Sequence, residues 1–370
     1  MDLRGKNILI ISPEGWRGLH MSKHHVAQGL VDRGNRVFWW GPVCAHHDHV
    51  PPPEKAGVRE LFARHWLKGV NRMPLAVNRW YYGRIIRELE EQAGVRFDII
   101  WCFDTSRLQV FPRHPAFRLL HLVDYDILYS GHGLMRTADL IVTTADAINE
   151  KVRTIAPGVP LHKVGHALDA RWLKGADALV PPRSSVPRLA VYSGQFFNTY
   201  IDWDALEAIA LHHADIHFRY IGNVDPDYPS EAFQRLRRLP NVEFTGLVTK
   251  DDLIPMVREA DILTFCFMTD SKLLERANPH KVLEYLSTGN VIVGSRTLEY
   301  DGRNDLMRQG HERRDFVPRF AEAVRDFAQL NTAEARAHRI AYAKERTVGH
   351  LLDHVERLLR DVHPPHRHRP

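Results

Sequence analysis

Short apolar segments alternate with segments of helical periodicity along almost the whole chain, and they form two series. The first series lies at residues 7–12, 36–40, 98–103, 119–123 and 140–144, and the second at 189–193, 217–221, 242–244, 262–267 and 291–293. Uninterrupted apolar runs of this length are typical of strands buried on both faces of a parallel sheet. Because helices alternate with these strands, each series predicts a doubly wound α/β domain.

A proline-rich stretch separates the two series. Residues 181–187, Pro-Pro-Arg-Ser-Ser-Val-Pro, have the composition of a linker. The sequence therefore predicts an N-terminal domain at 1–183 and a second domain at 186–345, followed by a disordered tail at 363–370. Only helices are expected after the last strand, near 317–330 and 347–361. The histidines of the tail are an alternative metal site, but their spacing implies no fixed ligand geometry.

Composition restricts the class of protein. A chain of 370 residues is long enough for two domains, and 44% hydrophobic with 26% charged residues is ordinary for a globular protein. No apolar run approaches the roughly 20 residues that cross a bilayer, and residues 1–6 lead directly into a strand, so no signal peptide is expected. Cys44, Cys102 and Cys266 are far apart and are expected to be reduced thiols in a cytoplasmic protein.

Residues 278–293 have the pattern of a helix that precedes a buried strand. Asn278 is a suitable N-cap and Pro279 suits the first helical position, so a helix is predicted from about His280 to Gly289. The free N–H groups at its start favour an anion, and Lys281 adds a full charge there.

A carboxylate completes this set of polar groups. Glu284 follows His280 by four residues and Lys281 by three, which places all three on one side of the helix. Such a set suits a nucleoside diphosphate whose ribose hydroxyls need an acceptor. A capped surface helix with an ordinary Lys–Glu pair would carry the same residues.

The same segment resembles the donor-binding motif of GT-B glycosyltransferases, N/S-P-x-K-x-x-E-Y-L-x-x-G-x-x-V-V. The preceding segments at 191–194, 201–203, 241–248, 252–255 and 260–263 follow the order of that family's nucleotide domain. The resemblance covers nearly all of residues 186–300 and, more loosely, the N-terminal half. It implies an α/β fold of two Rossmann-like doubly wound domains with a cleft between them, and a C-terminal helix at 346–362 that packs back on the first domain.

The resemblance also implies a donor site for a nucleotide sugar. Lys281 and the helix start would hold the diphosphate without a metal or other cofactor, and Glu284 would bind the ribose. Retaining members often carry an Arg and a Lys near the loop that holds Gly194 and Gln195, and this chain does not. The residues assigned to the donor are Gly18, Gly194, Gln195, Leu247, Asn278, His280, Lys281 and Glu284.

One departure from the retaining members concerns the catalytic base. Many retaining members carry two glutamates separated by seven residues. Glu284 matches the second, and the position of the first is Arg276 here, with Glu275 adjacent. Residues 120–126 instead resemble xanthan-type glucuronosyltransferases, whose base is an Asp after a buried strand, and Asp124 matches it. We therefore expect Asp124 to be the base of an inverting reaction. A strand-end Asp that merely caps the next turn is the alternative.

Two histidines are candidates for contact with the acceptor. His24 lies on the predicted helix at 22–33, just after Gly18, which allows close backbone approach to a sugar or phosphate. His166 lies in a stretch at 164–169 that is also similar to the xanthan-type enzymes. A solvated helix face would explain His24 equally well.

The segment at 61–87 contains no acidic residue. Its basic residues alternate with aromatic ones: Arg64, Lys68, Arg72, Arg79, Arg84 and Arg87 with Trp66, Trp80, Tyr81 and Tyr82. This pattern is typical of an interfacial membrane surface or a nucleic-acid patch, and no nucleic-acid fold signature accompanies it. An anionic membrane surface is the expected partner. A solvated helix with its aromatic residues in the core is the alternative.

Together these features predict a metal-independent hexosyl- or glucuronosyltransferase. It would move a sugar from a UDP-sugar to a lipid-linked or saccharide acceptor in bacterial surface polysaccharide synthesis, in the cytoplasm or on the inner face of the plasma membrane. A nucleotide-sugar 2-epimerase is one alternative, since it shares the fold and needs no acceptor. A non-catalytic partner of another transferase is the second alternative.

Overall fold

The computed structural model describes residues 1–17, 21–42, 56–64, 67, 69–123, 131–196, 200–268 and 278–362. Gly18, Asp124, positions 275 and 276, and the tail at 363–370 lie outside the described residues, as do His65, Trp66 and Lys68. The chain divides into two compact units, Met1–Ala167 with Val348–Pro370 (unit 1) and Leu168–Thr347 (unit 2).

Unit 1 is built on a parallel sheet. Its strands are β1 Asn7–Ile11, β2 Arg36–Trp40, β3 Val58–Glu60, β4 Ile99–Cys102, β5 Phe117–Leu122, β6 Leu140–Thr143 and β7 Leu161–Lys163. Its first helices are α1 Ser22–Asp32, α2 Leu75–Ala93, α3 His132–Thr137 and α4 Asp146–Ile155. The strand order is β3-β2-β1-β4-β5-β6-β7, and every pair is parallel.

Unit 2 repeats this design. Its strands are β8 Leu189–Ser193, β9 His217–Ile221, β10 Val242–Gly246, β11 Ile262–Phe265, β12 Val291–Ser295 and β13 Arg308–Gly310. Its helices are α5 Trp203–His212, α6 Glu231–Leu236, α7 Lys250–Arg258, α8 His280–Leu286, α9 Phe316–Arg325, α10 Phe327–Leu330 and α11 Ala333–Lys344. The order is β10-β9-β8-β11-β12-β13, again parallel.

The two sheets confirm the predicted pair of doubly wound α/β domains. Across each sheet the strands of the unit lie in the order third, second, first, fourth, fifth, sixth, which is the Rossmann order. The order reverses between β1 and β4 in unit 1 and between β8 and β11 in unit 2. Ligands of such sheets bind at this reversal, beyond the carboxyl ends of the strands.

The apolar strands are explained by burial on both faces. In β1, Ile8 and Ile10 pack in one hydrophobic cluster, whereas Leu9 and Ile11 pack in the other. Successive side chains of a strand point to opposite faces, so a sheet covered by helices on both sides needs apolar residues at every position.

The last helix, α12 Val348–Val362, belongs to unit 1, where it packs on α1. A Cβ at Gly29 of α1 would lie 2.5 Å from Cγ1 of Val348, so the glycine permits the close approach of the helices. Arg33 and Asp353 add an ion pair of 2.6 Å. No helix among the described residues combines the length and apolarity that crossing a bilayer requires.

The boundary between the units lies before the predicted linker. Residues 168–180 belong to unit 2 because Leu168 and Trp172 are fully buried in its core. Arg258 of α7 donates to the carbonyl oxygens of Trp172 and Lys174, which attaches this segment to the second sheet's helices. The proline-rich stretch thus follows the change of unit instead of forming it.

Candidate functional site

The candidate donor helix is α8, which begins at His280 as predicted. Its N-cap residue is Pro279, without a side-chain cap, so the prediction of Asn278 as the N-cap is wrong. The helix has seven residues and ends at Leu286, short of the predicted Gly289. Gly289 has a φ of 73° and allows the turn that leads into β12.

Hydrogen bonds to other elements fix α8 and the turn that follows it. The buried hydroxyl of Tyr285 accepts from the backbone N–H of Ser193 at 2.9 Å and lies 3.3 Å from the carbonyl oxygen of Thr264. Arg336 and Arg339 of α11 donate to the carbonyl oxygens of residues 288 and 289, at 3.2 and 3.0 Å. Tyr285 therefore places α8 across the ends of β8 and β11, where the strand order reverses.

Lys281 occupies this reversal point. Its Nζ donates to the carbonyl oxygen of Ser193 at 3.0 Å, and it lies 4.6 Å from the ring centroid of Tyr192 and 5.6 Å from that of Phe267. The two rings stabilise the cation through their π faces. Burial nevertheless lowers the pKa of Lys281 to about 8, and the negative charge of Glu284 opposes that shift.

Two glycines make room for this amino group. A Cβ at Gly194, directly after β8, would lie 2.6 Å from Nζ of Lys281. Gly222 follows β9 with a φ of 148°, and its Cβ would lie 1.7 Å from the carbonyl oxygen of Gly194. Only glycine fits at this second position, because a side chain would collide with backbone. The ends of β8 and β9 therefore form a close-packed floor beside Lys281.

The remaining donor candidates lie around this floor. His280 and Glu284 face each other, with Nδ1 and Oε1 3.7 Å apart, so their predicted position on one side of the helix is confirmed. Gln195 is exposed after β8, and Leu247 is 76% exposed after β10. The structure thus brings Gly194, Gln195 and Leu247 to the carboxyl edge of the second sheet, and Lys281 to the same edge.

The structure gives His24 a different environment from the one expected. Its side chain is fully buried, Nδ1 accepts from the backbone N–H of Met21 at 3.1 Å, and Nε2 lies 3.0 Å from the carbonyl oxygen of Gly15. The ring contacts Trp16 and Trp39, with centroids 5.5 and 4.7 Å away. This histidine fixes the loop before α1, so neither contact with an acceptor nor a solvated face describes it. The prediction is corrected accordingly.

The strand-order reversal of unit 1 is filled by an arginine that the sequence did not single out. Arg107 donates to the carbonyl oxygens of Gly41 and Ser12 and to the carboxylate of Asp104. Its guanidinium also lies 5.1 Å from the ring of Trp40. These contacts brace the ends of the first strands. His166 is half-buried just before the boundary with unit 2.

Burial also determines the charge of His121, on β5. It lies against the rings of Trp101 and Phe103, and burial, with a smaller effect of Lys23, lowers its pKa to about 3. The ring is therefore neutral near pH 7 and cannot supply a positive charge. Among the described residues no three His, Cys, Asp or Glu side chains converge as metal ligands.

Residues 187–329 match the family model described as "Glycosyl transferases group 1". This match begins two residues before β8 and contains the whole floor of strand ends, Tyr285 and Lys281. Unit 2 is therefore similar to the domain that this model describes. Lys281 and Glu284 lie on a helix within the matched residues, at the edge where such a fold binds ligands.

Solved structures extend the similarity over both units. HepE of Anabaena, in complex with UDP and glucose, superposes with a TM-score of 0.66 at 12% identity, covering 96% of this chain and 100% of HepE. Sucrose-phosphate synthase of Thermosynechococcus elongatus gives 0.70 at 11%, covering 96% and 99%. WaaG, a glycosyltransferase involved in lipopolysaccharide biosynthesis, gives 0.63 at 11%, covering 97% and 100%.

These superpositions confirm the predicted GT-B fold of two Rossmann-like domains. No curated protein matches the sequence significantly. At such low identities the likeness concerns the fold alone. Similarity to the xanthan-type enzymes stays a prediction.

Proposed function

We propose that this chain transfers a sugar from a UDP-sugar to a lipid-linked or saccharide acceptor in bacterial surface polysaccharide synthesis. The observation that carries the proposal is Lys281, a partly desolvated cation at the strand-order reversal of a domain similar to group 1 glycosyltransferases, with Glu284 one turn deeper. HepE, which has been solved with UDP and with UDP-glucose, supports the choice of nucleotide. WaaG supports the choice of pathway class.

In this proposal each group has a defined task. Lys281 binds the diphosphate and stabilises the charge that develops on it when the bond between the anomeric carbon and the diphosphate oxygen breaks. Glu284 accepts hydrogen bonds from the ribose. The acceptor hydroxyl forms the new bond to the anomeric carbon and gives its proton to Asp124, whose role rests on sequence alone. UDP leaves, and the transfer needs no metal.

Release of UDP tests the function directly. The full chain is incubated with UDP-glucose or UDP-glucuronate in excess chelator, with and without a bacterial membrane lipid extract. We expect the extract to stimulate UDP release. An epimerase would instead produce free epimerised sugar without an acceptor, and a non-catalytic partner would bind UDP without turnover. Activity that requires added Mg²⁺ or Mn²⁺ would contradict the metal-free transfer.

The lowered pKa of Lys281 predicts a pH dependence of donor binding. A bound diphosphate favours the charged form of the amine. Near pH 8 the amine of the free protein has partly lost its proton, so UDP binding at that pH is coupled to the uptake of a proton. UDP affinity should be constant at lower pH and fall by up to about tenfold for each pH unit above about 8. The charge of the diphosphate does not change there, because a phosphate loses its last proton near about pH 6.

Calorimetric titration in buffers of different ionisation enthalpy measures both the affinity and the proton uptake. The variant Lys281→Met keeps an aliphatic chain on the Tyr192 ring but cannot titrate, so its weaker affinity should not change over the same range. A wild-type affinity that stays constant well above pH 8 would refute the assignment of Lys281 to the diphosphate.

A further inference from the structure

Helix α2 has one buried face and one unusually basic face. Tyr81 and Tyr82, which the sequence grouped with the basic segment, are buried in the core of unit 1. Trp80, which lies one helical turn from Val77 and one from Arg84, is 60% exposed, and Leu75 is 53% exposed. The structure thus divides the aromatic residues of this segment: the tyrosines anchor α2, and Trp80 projects from it.

A groove of about 570 Å³ runs between this face of α2 and the segment before β5. Its charged and aromatic lining is Arg79, Trp80, Arg87, Arg96, Arg113 and His114. Among the residues that the structure describes, no acidic side chain lines it. Four guanidinium groups on one concave surface create a positive potential that attracts anions.

Most of this charge is not neutralised within the protein. Among the described residues, Arg79, Arg87 and Arg113 form no ion pair. Arg96 pairs with Glu90 at 2.6 Å, and Glu90 also lies 3.2 Å from Nε2 of His114. The groove therefore keeps at least three uncompensated guanidinium groups, which suits phosphates, since guanidinium binds phosphate oxygens in a bidentate manner.

Trp80 separates this groove from a second one. The second groove is lined by Arg64, Arg84 and Arg87 and also by Glu88 and Glu91. Trp80 follows Val77 by three residues and is followed by Arg84 after four, so these side chains lie on neighbouring turns of one face. The result is an exposed aromatic ring surrounded by arginines.

We propose that this groove docks the chain on a bilayer by binding the phosphates of anionic lipid headgroups. Trp80 and Leu75 would enter the interface, where an aromatic ring with a polar N–H is favoured. These exposed apolar side chains favour a lipid over a soluble phosphate, which would leave them in water. The proposal does not depend on sugar transfer, and it would place unit 1 next to the membrane.

Vesicle sedimentation of the full chain tests the proposal. Vesicles of phosphatidylcholine alone are compared with vesicles that also contain phosphatidylglycerol, at low and high salt. The variant Arg79→Gln/Arg87→Gln should bind the anionic vesicles about thirty-fold more weakly, as expected for two basic residues at a charged surface. Trp80→Ala should reduce binding about tenfold, with less dependence on salt.

A matched control removes the same charge elsewhere in unit 1. Lys151 and Arg153 are exposed on α4, so Lys151→Gln/Arg153→Gln should bind nearly as well as wild type. Equal losses in both double variants, or equal binding to neutral vesicles, would overturn the proposal. Competition by inorganic pyrophosphate together with an unchanged Trp80→Ala variant would assign the groove to soluble phosphates instead. The melting temperature of each variant, measured by circular dichroism, shows whether it is folded.

Discussion

Lys281→Ala is expected to weaken UDP binding by about 1.5–3 kcal/mol, roughly ten- to more than a hundred-fold in affinity. The amine is the cation at the reversal point, and its loss removes a charge-assisted hydrogen bond to the diphosphate. The fold should persist, because the charged amine is costly to bury and, among the described residues, its only hydrogen bond goes to the carbonyl oxygen of Ser193. Calorimetric titration with UDP measures the change.

Glu284→Ala should cause a loss of similar size for a different reason. Its carboxylate, whose side chain is only 15% exposed, would accept the ribose hydroxyls. Glu284→Gln keeps one acceptor oxygen and should lose less than the alanine variant, a difference that a purely electrostatic role would not produce.

A Lys/Arg–Glu pair elsewhere in unit 2 provides the matched control. Arg319 and Glu322 of α9 form an i,i+3 pair of 2.7 Å. Their alanine variants should bind UDP like wild type. Unchanged UDP affinity in both Lys281→Ala and Glu284→Ala would eliminate the donor site proposed for α8.

Asp124→Asn is expected to reduce turnover by about 10²–10⁴-fold, the usual loss when a general base is removed. A base acts on the acceptor hydroxyl only as the new bond forms, so UDP affinity should be nearly intact. Asp124 lies outside the described residues. Its neighbour Val123 is described, and the carbonyl oxygen of Val123 accepts from the hydroxyl of Thr144 at 2.7 Å. The prediction therefore rests on the position of Asp124 just after β5 in the sequence.

Asp104 offers a comparison with a structural carboxylate. It follows β4 and accepts from the backbone N–H groups of Ser106 and Arg107 at 2.8 and 3.1 Å. Asp104→Asn should lower the melting temperature. If Asp124→Asn behaves in the same way and spares turnover, Asp124 is a cap and not a base.

The stereochemistry of the product tests the mechanism independently. A single displacement assisted by Asp124 inverts the anomeric centre, and NMR of the product identifies the new configuration. Retention of the donor's configuration would refute the inverting reaction even if Asp124 proved essential for turnover.

Sequence alone determined the fold class and the start of α8 because both depend on local signals. Strands buried on two faces must be apolar at almost every position, and β8 appears at its predicted position for that reason. The strands β3, β7 and β13 were missed, since three residues at a sheet edge carry little periodic signal. The region after β12 is consequently not purely helical.

Tertiary structure alone decided which charged side chains support the site. Arg336 and Arg339 lie on α11, whose composition is typical of a solvated helix. They are nevertheless buried and bind the carbonyl oxygens just after α8. His24 was expected near a ligand and is buried between Trp16 and Trp39. A residue's type states which bonds it can form, but only the packing of distant elements decides which partner is within reach.

Lys281 combines both kinds of information. The sequence by itself identified it as the cation at the start of a helix, because the cap pattern and the spacing to Glu284 are local. Its position over Tyr192 and Phe267, its bond to Ser193 88 residues earlier, and its lowered pKa exist only in the folded domain. Those contacts depend on the parallel order of β8 and β11, which brings residues distant in sequence to one edge of the sheet.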